Sequence, residues 1–315
     1  MKTIRDFELP PELRETLKKA KKLEWITLVY LISVTVVMYL VLGSSQAMKT
    51  AWLEDVLSLV PSAGFLIASK INSKAPNKKF PFGYHRVFSI AFLVGAVALL
   101  GMGLFLVFDS SMALIKTERP TIGNMKIMGY TIWMGWLMIA ALVYSAGPAM
   151  WLGRKKIPMA KQLHNKLLYT DSSAQKADYM TALAAILGIL GVGLGLWWAD
   201  AVAAIFISGS ILKDGFKHTK TAALDLMDRY PKRLLAEDED QIIVDVRNRV
   251  RSWEWVADVR VRFREAGQVY FGQIAVVPKG EINLEAIEEG YKEIKNMHWK
   301  LHDFTIDPVK KLPDW

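Results

Sequence analysis

Apolar residues in this chain come in long, almost uninterrupted runs. Residues 87–108, 127–153 and 179–199 contain no Asp, Glu, Lys or Arg, and residues 23–43 contain one, Glu24, at the edge. Each run meets or exceeds the about 18–20 apolar residues that an α-helix needs to cross roughly 30 Å of hydrocarbon. Two further runs are interrupted by charge: residues 51–70 by Glu54 and Asp55, and residues 200–221 by Lys213 and Asp214. Charges at membrane depth are costly, so a span that keeps them has a use for them. The pattern predicts six membrane-spanning helices within residues 23–228. The first run is too long for a signal-peptide core and has no small-residue cleavage site behind it, which predicts a retained helix.

Residues 1–22 read as a cytoplasmic N-terminal tail in which Leu9, Leu13 and Leu17 are spaced like one helix face. Loops are predicted over residues 72–85, around Pro120 and over residues 153–161 around Pro158. Beyond Asp228 the pattern changes. The acidic run 237–240 suits a helix N-terminus, and Ile242, Val246, Val250 and Trp253 follow with helical spacing. Val259, Val261 and Phe263 then alternate with Arg260, Arg262 and Arg264, a strand with one basic face. Ala266-Gly267 turns this strand into a second over 269–277, residues 283–297 return to helical spacing, and 303–309 are extended. Helix, strand, strand, helix, strand predicts an α+β, ferredoxin-like domain over residues 229–315.

Composition agrees with a membrane chain: 52% of 315 residues are hydrophobic, while the net charge is +9. The basic residues flank the spans, with Lys70, Lys74, Lys78, Lys79 and Arg86 between spans two and three and Arg154, Lys155, Lys156, Lys161 and Lys166 between spans four and five. The opposite loops are poorer, with Lys49 alone after span one. By the positive-inside rule the basic loops, the N-terminal tail and the C-terminal domain are cytoplasmic. The basic strand face has no interleaved aromatic platform, so no nucleic-acid partner is expected; it reads as a solvated or dimer-facing surface, or one near anionic headgroups. The chain has no cysteine, which removes disulfides and thiolate chemistry. With no phosphate-cradling glycine loop and no nucleophile motif, an enzyme is not expected. Gly188, Gly191, Gly193 and Gly195 read as close helix packing.

Candidate chemistry lies on two helical stripes. Glu54, Ser58 and Ser62 are successively four apart, with Asp55 three before Ser58; Asp171, Gln175 and Asp178 follow an i, i+4, i+7 pattern. Two narrow acidic faces suit a divalent cation, which offsets the cost of acids in a span. The alternative, acids at the interface or paired with basic loop residues, stays open on spacing alone.

Residues 198–204, the segment Leu224-Asp225-Leu226-Met227-Asp228, the loop Phe80-Pro81-Phe82-Gly83-Tyr84-His85-Arg86 and the span-five segment 171–178 together resemble the cation diffusion facilitator family over nearly the whole chain. The resemblance implies six membrane helices, a cytoplasmic ferredoxin-like domain, and a homodimer that exports divalent metal in exchange for protons. It also implies a transport site built from two ligands on span two and two on span five. By position these fall on Ala51 and Asp55, and on Ala174 and Asp178. Alanine offers no donor, so Glu54, Asp171, Gln175, Ser58 or water must complete a site around Asp55 and Asp178. The loop site of some members has Phe80 and Tyr84 where histidines are expected, leaving His85 and Lys78 nearby; His85 reads as a solvated loop residue. His298 and His302, spaced for one helical face, are too few for a regulatory zinc site, and Asp307 stands where the last strand commonly carries histidine. The expected function is divalent cation efflux across the plasma (inner) membrane, with manganese, iron or zinc as cargo and no resident cofactor. The alternative is a transport-impaired member with a structural or regulatory partner role.

Overall fold

The computed structural model describes residues 9–117, 120–127, 130–232, 238–281 and 283–314. The expected first part of the N-terminal tail and the first acid of the run 237–240 lie outside the described residues. The chain divides into two compact units. One comprises Glu15–Ser69 and Ile90–Ala222; the other comprises Lys70–Ser89 and Ala223–Trp315, together with the start of the first helix.

The first unit is helical: α1 (Pro11–Leu40), α2 (Gln46–Asn72), α3 (Val87–Ile115), α4 (Met134–Gln162), α5 (Lys166–Gly193) and α6 (Ala199–Leu226). Among the described residues α1 to α5 are long and apolar enough to cross a membrane. The sixth helix, α6, is of similar length but carries Asp200, Lys213 and Asp214. Two expectations shift at α4. A small antiparallel hairpin, β1 (Asn124–Ile127) with β2 (Tyr130–Trp133), takes up the start of the run assigned to span four; a short apolar stretch does not by itself distinguish strand from helix. At its other end α4 continues through Pro158 to Gln162, so the loop expected over 153–161 is helical. The helix also begins before the expected tail ends, since α1 starts at Pro11.

Burial follows from helix periodicity. On α1 the buried positions are Ala20, Glu24, Thr27, Leu31, Val34 and Met38, spaced three and four apart, while Trp25, Val29, Ile32 and Val36 are exposed. Large apolar side chains also face outward on α3 (Ile90, Val94, Leu104, Phe108) and α6 (Val202, Phe206, Phe216). In water such surfaces would be costly; in a bilayer they face lipid. Small residues let the helices close up. A Cβ on Gly188 of α5 would stand 2.8 Å from Ala203 Cβ of α6, and one on Gly103 of α3 the same distance from the Leu212 backbone. Gly191 meets Ala199 in the same way and Gly193 meets Trp133, whereas Gly195, at φ +90°, lies in the turn after α5. The N-terminus of α2 is capped from α6: Asp200 accepts from the Gln46 and Ala47 N–H groups at 2.5 and 3.3 Å and from the Ser45 hydroxyl at 2.6 Å. Lys49, expected in a loop, is in α2 and pairs with Asp109 of α3 at 2.7 Å.

In the second unit α7 (Gln241–Arg251), β3 (Val256–Ala266), β4 (Val269–Pro278), α8 (Leu284–Met297) and β5 (Leu301–Pro308) form a three-stranded sheet, order β3-β4-β5. β3 and β4 pair antiparallel around a turn with Gly267 at φ +68°, and β4 and β5 pair parallel across α8. Ile243, Val246 and Val250 of α7 and Ile294 of α8 pack on Val259, Val261, Phe263, Ile274 and Phe304. Asp240 caps α7 at the Ile242 N–H and also accepts from Tyr270 Oη at 2.5 Å and Lys300 Nζ at 3.2 Å. Burial alone would raise its pKa, but these donors outweigh it and hold the carboxyl below its ordinary value. The basic face of β3 is engaged. Arg260 donates to the Pro313 carbonyl at 2.5 Å, Arg262 to Gln273 at 2.9 Å and Arg264 to Asp228 at 2.8 Å.

Candidate metal-binding site

Asp55 sits on the buried face of α2, opposite α4, where the Ser145 hydroxyl lies 2.9 and 3.0 Å from its two carboxylate oxygens. That turn of α4 is itself fixed by α1. Tyr30 Oη donates to the carbonyls of Tyr144 and Ser145 at 2.6 and 2.5 Å, and the hydroxyls of Ser33 and Tyr144 are 2.8 Å apart. Trp52 of α2 ties the same helices by donating to the Thr35 carbonyl at 3.0 Å. Beside Asp55, Glu54 is partly buried and accepts from Thr181 of α5 at 3.5 Å. Asp178, nearly one helical turn before Thr181, lies within electrostatic reach of Glu54 and Asp55, and also of Asp171 and Lys156. The hydroxyl of Ser58 donates to the Glu54 carbonyl at 3.0 Å, leaving its oxygen lone pairs available. Among the described residues, Asp55 and Glu54 have hydroxyl partners and no direct ion pair with an ammonium or guanidinium.

Asp171 and Gln175 belong to a different constellation. Asp171 Oδ2 lies 2.6 Å from Lys156 Nζ, and Oδ1 accepts from Ser62 at 3.3 Å. Gln175 Nε2 donates to both Asp171 oxygens at 3.1 Å. Lys156 also meets Glu24 Oε1 of α1 at 3.0 Å. Lys156 therefore does not join the loop cations expected between spans four and five: because α4 runs on past Pro158, its ammonium is turned into the helical unit and its exposure is 0%. The six candidate residues thus divide into Glu54, Asp55, Ser58 and Asp178 in one group and Asp171 with Gln175 in the other. Spacing missed four participants. Ser145 and Thr181 are neutral residues inside apolar runs, while Glu24 and Lys156 read as edge or loop charges.

Ala51 is buried and Ala174 exposed. Among the described residues, no group of three or more His, Asp or Glu side chains is drawn together closely enough to hold a metal ion.

The histidines of the second unit differ from expectation. His85 is buried against Phe271 and His302, at ring-centroid distances of 5.9 and 4.6 Å, and is not a solvated loop residue. Burial pushes its pKa down to about 4; burial, then His85 and Lys295, push His302 down to about 3. His298 lies just beyond α8 and His302 on β5, so the two do not share a helical face. Asp307 accepts from Gln273 and from Thr305. In the loop, Phe80 stacks near Tyr84 at 4.7 Å, and Asn77 donates to the Tyr84 hydroxyl at 2.8 Å. Arg86 joins Arg264 on Asp228, a residue held at φ +60°.

An acidic stripe on α2 facing another on α5, within apolar helices whose outward faces are lipid-like, describes a membrane cation carrier. The cation efflux transmembrane domain matches residues 25–227, and the chain belongs to the cation efflux, or cation diffusion facilitator, family. It is similar to the manganese efflux system protein MneS of Bacillus subtilis, with 20% identity over 85% of this chain and 86% of that protein. It is also similar to the transporter YdbO of the same organism, with 23% identity over 96% and 99% of the two chains. The magnetosome protein MamB of Magnetospira sp. is 23% identical over 72% of each. The chain is an integral multi-pass membrane protein of a metal-cation transport family, and not an enzyme.

Proposed function

We propose that this protein exports divalent metal cations from the cytoplasm in exchange for protons, as a homodimer in the plasma membrane with both termini cytoplasmic. In this reading α6 is the sixth span: its outward Val202, Phe206 and Phe216 suit lipid, and Asp200 is accommodated by capping α2. The C-terminal α7-β3-β4-α8-β5 unit is a ferredoxin-like variant that supports dimerisation. Asp55 and Asp178 are the core ligands, Glu54 and Ser58 complete the set with water, and Asp171 and Gln175 stand in a neighbouring layer. The observation that carries the assignment is the contrast between the two groups of acids. Among the described residues Asp171 is ion-paired with an ammonium, whereas Asp55 and Glu54 accept only from hydroxyls and Asp178 interacts with Lys156 without a direct ion pair, and a divalent ion would supply the charge they lack. The name of MneS supports manganese as cargo here, in keeping with an oxygen-only donor set.

Metal flux into sealed vesicles tests this. Asp55→Asn and Asp178→Asn each keep side-chain size and most hydrogen bonding while removing an anionic ligand, so each is expected to leave a folded protein without transport. Near-normal flux in either variant removes that residue from the site. A second reading, a transport-impaired member with a partner role, is favoured by the alanines at 51 and 174; wild-type protein with no flux for any divalent ion would establish it.

A further inference from the structure

A second polar layer lies beside the acids assigned to transport. Ser62 follows Asp55 by seven residues on α2, and Asp171 precedes Asp178 by seven on α5. Each is therefore about two turns, ~10 Å, farther along its helix, and the 3.3 Å contact between them places both at one level. Four helices contribute: Glu24 from α1, Ser62 from α2, Lys156 from α4, and Asp171 with Gln175 from α5. None of these side chains is more than 2% exposed.

With both carboxyls ionised, the charges in this layer do not balance. One ammonium stands between two carboxylates, at 3.0 and 2.6 Å, leaving the ionised cluster one positive charge short. Among the described residues two acceptors are also left without a well-formed hydrogen bond: Gln175 Oε1, and Glu24 Oε2, with the Ser62 hydroxyl nearby. Native interiors rarely leave such atoms unpaired, because an unpaired buried acceptor is costly. A divalent cation in place of the ammonium would balance two carboxylates and take up the spare Glu24 oxygen. Rotation of the Gln175 amide would present its oxygen where its nitrogen now donates. The donors are then carboxylate, amide and hydroxyl oxygens, the set suited to hard divalent ions. Lysine suits the role of a movable occupant, being a point charge on a flexible stem with no fixed bidentate geometry.

We propose that Glu24, Ser62, Asp171 and Gln175 form a second, transient position for the transported divalent cation, which the Lys156 ammonium fills when the ion is absent and vacates when it arrives. The inference rests on the reading of Asp55 and Asp178 as the transport ligands, and it makes the neighbouring layer a relay position rather than an inert ion pair. Lys156 then acts as a tethered competitor, returning to expel the ion and closing the layer behind it.

The test uses the full-length protein in lipid nanodiscs, with bound and free Mn2+ counted by electron paramagnetic resonance. Lys156→Gln is expected to bind one more Mn2+ per chain than wild type, and adding Glu24→Gln to that variant should remove the extra ion. The extra ion should persist when Lys156→Gln is placed in the Asp55→Asn/Asp178→Asn background, which separates this position from the transport site. Failure of the transport reading would show instead as normal flux in the Asp55→Asn/Asp178→Asn protein, whatever the Lys156 variants bind. A folded, monodisperse Lys156→Gln protein with wild-type Mn2+ stoichiometry overturns the proposal. If that variant does not fold, Glu24→Gln decides, since it keeps the Lys156–Asp171 pair. At least about tenfold slower Mn2+ flux with unchanged Mn2+ stoichiometry supports a relay role, and wild-type flux overturns it.

Discussion

Ser145 has no charge and no acidic neighbour in sequence, yet its hydroxyl is shared between both oxygens of Asp55. A group that orients a metal ligand tunes affinity without touching the ion, typically by about tenfold or more. Ser145→Ala is accordingly expected to raise the Mn2+ concentration for half-maximal flux by about tenfold while leaving the maximal rate closer to wild type; an unchanged concentration dependence would show that Asp55 needs no such anchor. Residues of this kind are where sequence reasoning stops. Asp55, Glu54, Asp171 and Asp178 stand out in the sequence as candidates because a carboxylate in an apolar run is conspicuous and helical spacing assigns it a face. Ser145 and Thr181 do not, since serine and threonine are common in apolar helices and only the neighbouring helix shows what they meet. Lys156 was misplaced for a related reason: a basic cluster near Pro158 reads as a loop, and periodicity cannot show that one of five cations turns inward to Glu24 and Asp171.

At the level of elements, long runs without charge identified α1 and α3 to α5 as spans, because length and polarity alone set the requirement for crossing a bilayer. The alternation Val259, Val261, Phe263 against three arginines gave β3, its core face and its basic face. The β1–β2 hairpin escaped because its apolar residues adjoin those of α4. So did the seating of the segment around His85, which depends on the parallel neighbour of β4: His85 meets Phe271 on β4 and His302 on β5. That seating carries a pH dependence. With folded pKa values near 4 and 3 for His85 and His302 and about 6.5 when unfolded, both are neutral above pH 6.5 in either state and contribute no slope there. Below it the unfolded chain binds protons that the folded chain refuses, so stability falls as pH drops from about 6.5 towards 4, by at most about 1.4 kcal/mol per pH unit for each histidine. His85→Phe keeps an aromatic ring against Phe271 and removes one of the two protons from the balance. Hydrogen exchange of the β4 and β5 segments in the full-length protein, corrected for intrinsic rates, should then show a shallower loss of protection between pH 6.5 and 4.5. Identical slopes in wild type and variant would mean that His85 is not protected from protonation by this contact.

For the whole molecule, the consequence that reaches furthest is ion preference, and it follows from what the proposed transport layer lacks. The family resemblance puts Ala51 and Ala174 at two of four ligand positions, and the described hydrogen bonds to Asp55 and Glu54 come from Ser145 and Thr181, both oxygen donors. His85, His298 and His302 belong to the other compact unit, where His85 and His302 pack on Phe271. Borderline-soft zinc gains most from imidazole and thiolate, whereas manganese is well served by carboxylate, hydroxyl and water. An oxygen site also admits more than four donors, which suits the higher coordination of the harder ions and removes the tetrahedral discrimination on which zinc selectivity relies. Opposing this, the general affinity order of divalent ions still places zinc above manganese at a given site. The two effects act against each other, so the expected outcome is weak selectivity: in vesicles loaded to follow one ion, manganese or iron(II) should compete with zinc within about tenfold, a difference of about 1.4 kcal/mol. Zinc transport untouched by a large excess of manganese would contradict an oxygen-only site and require a nitrogen ligand from elsewhere. His218 would then be the residue to replace first, because it is carried by α6, a helix of the membrane unit.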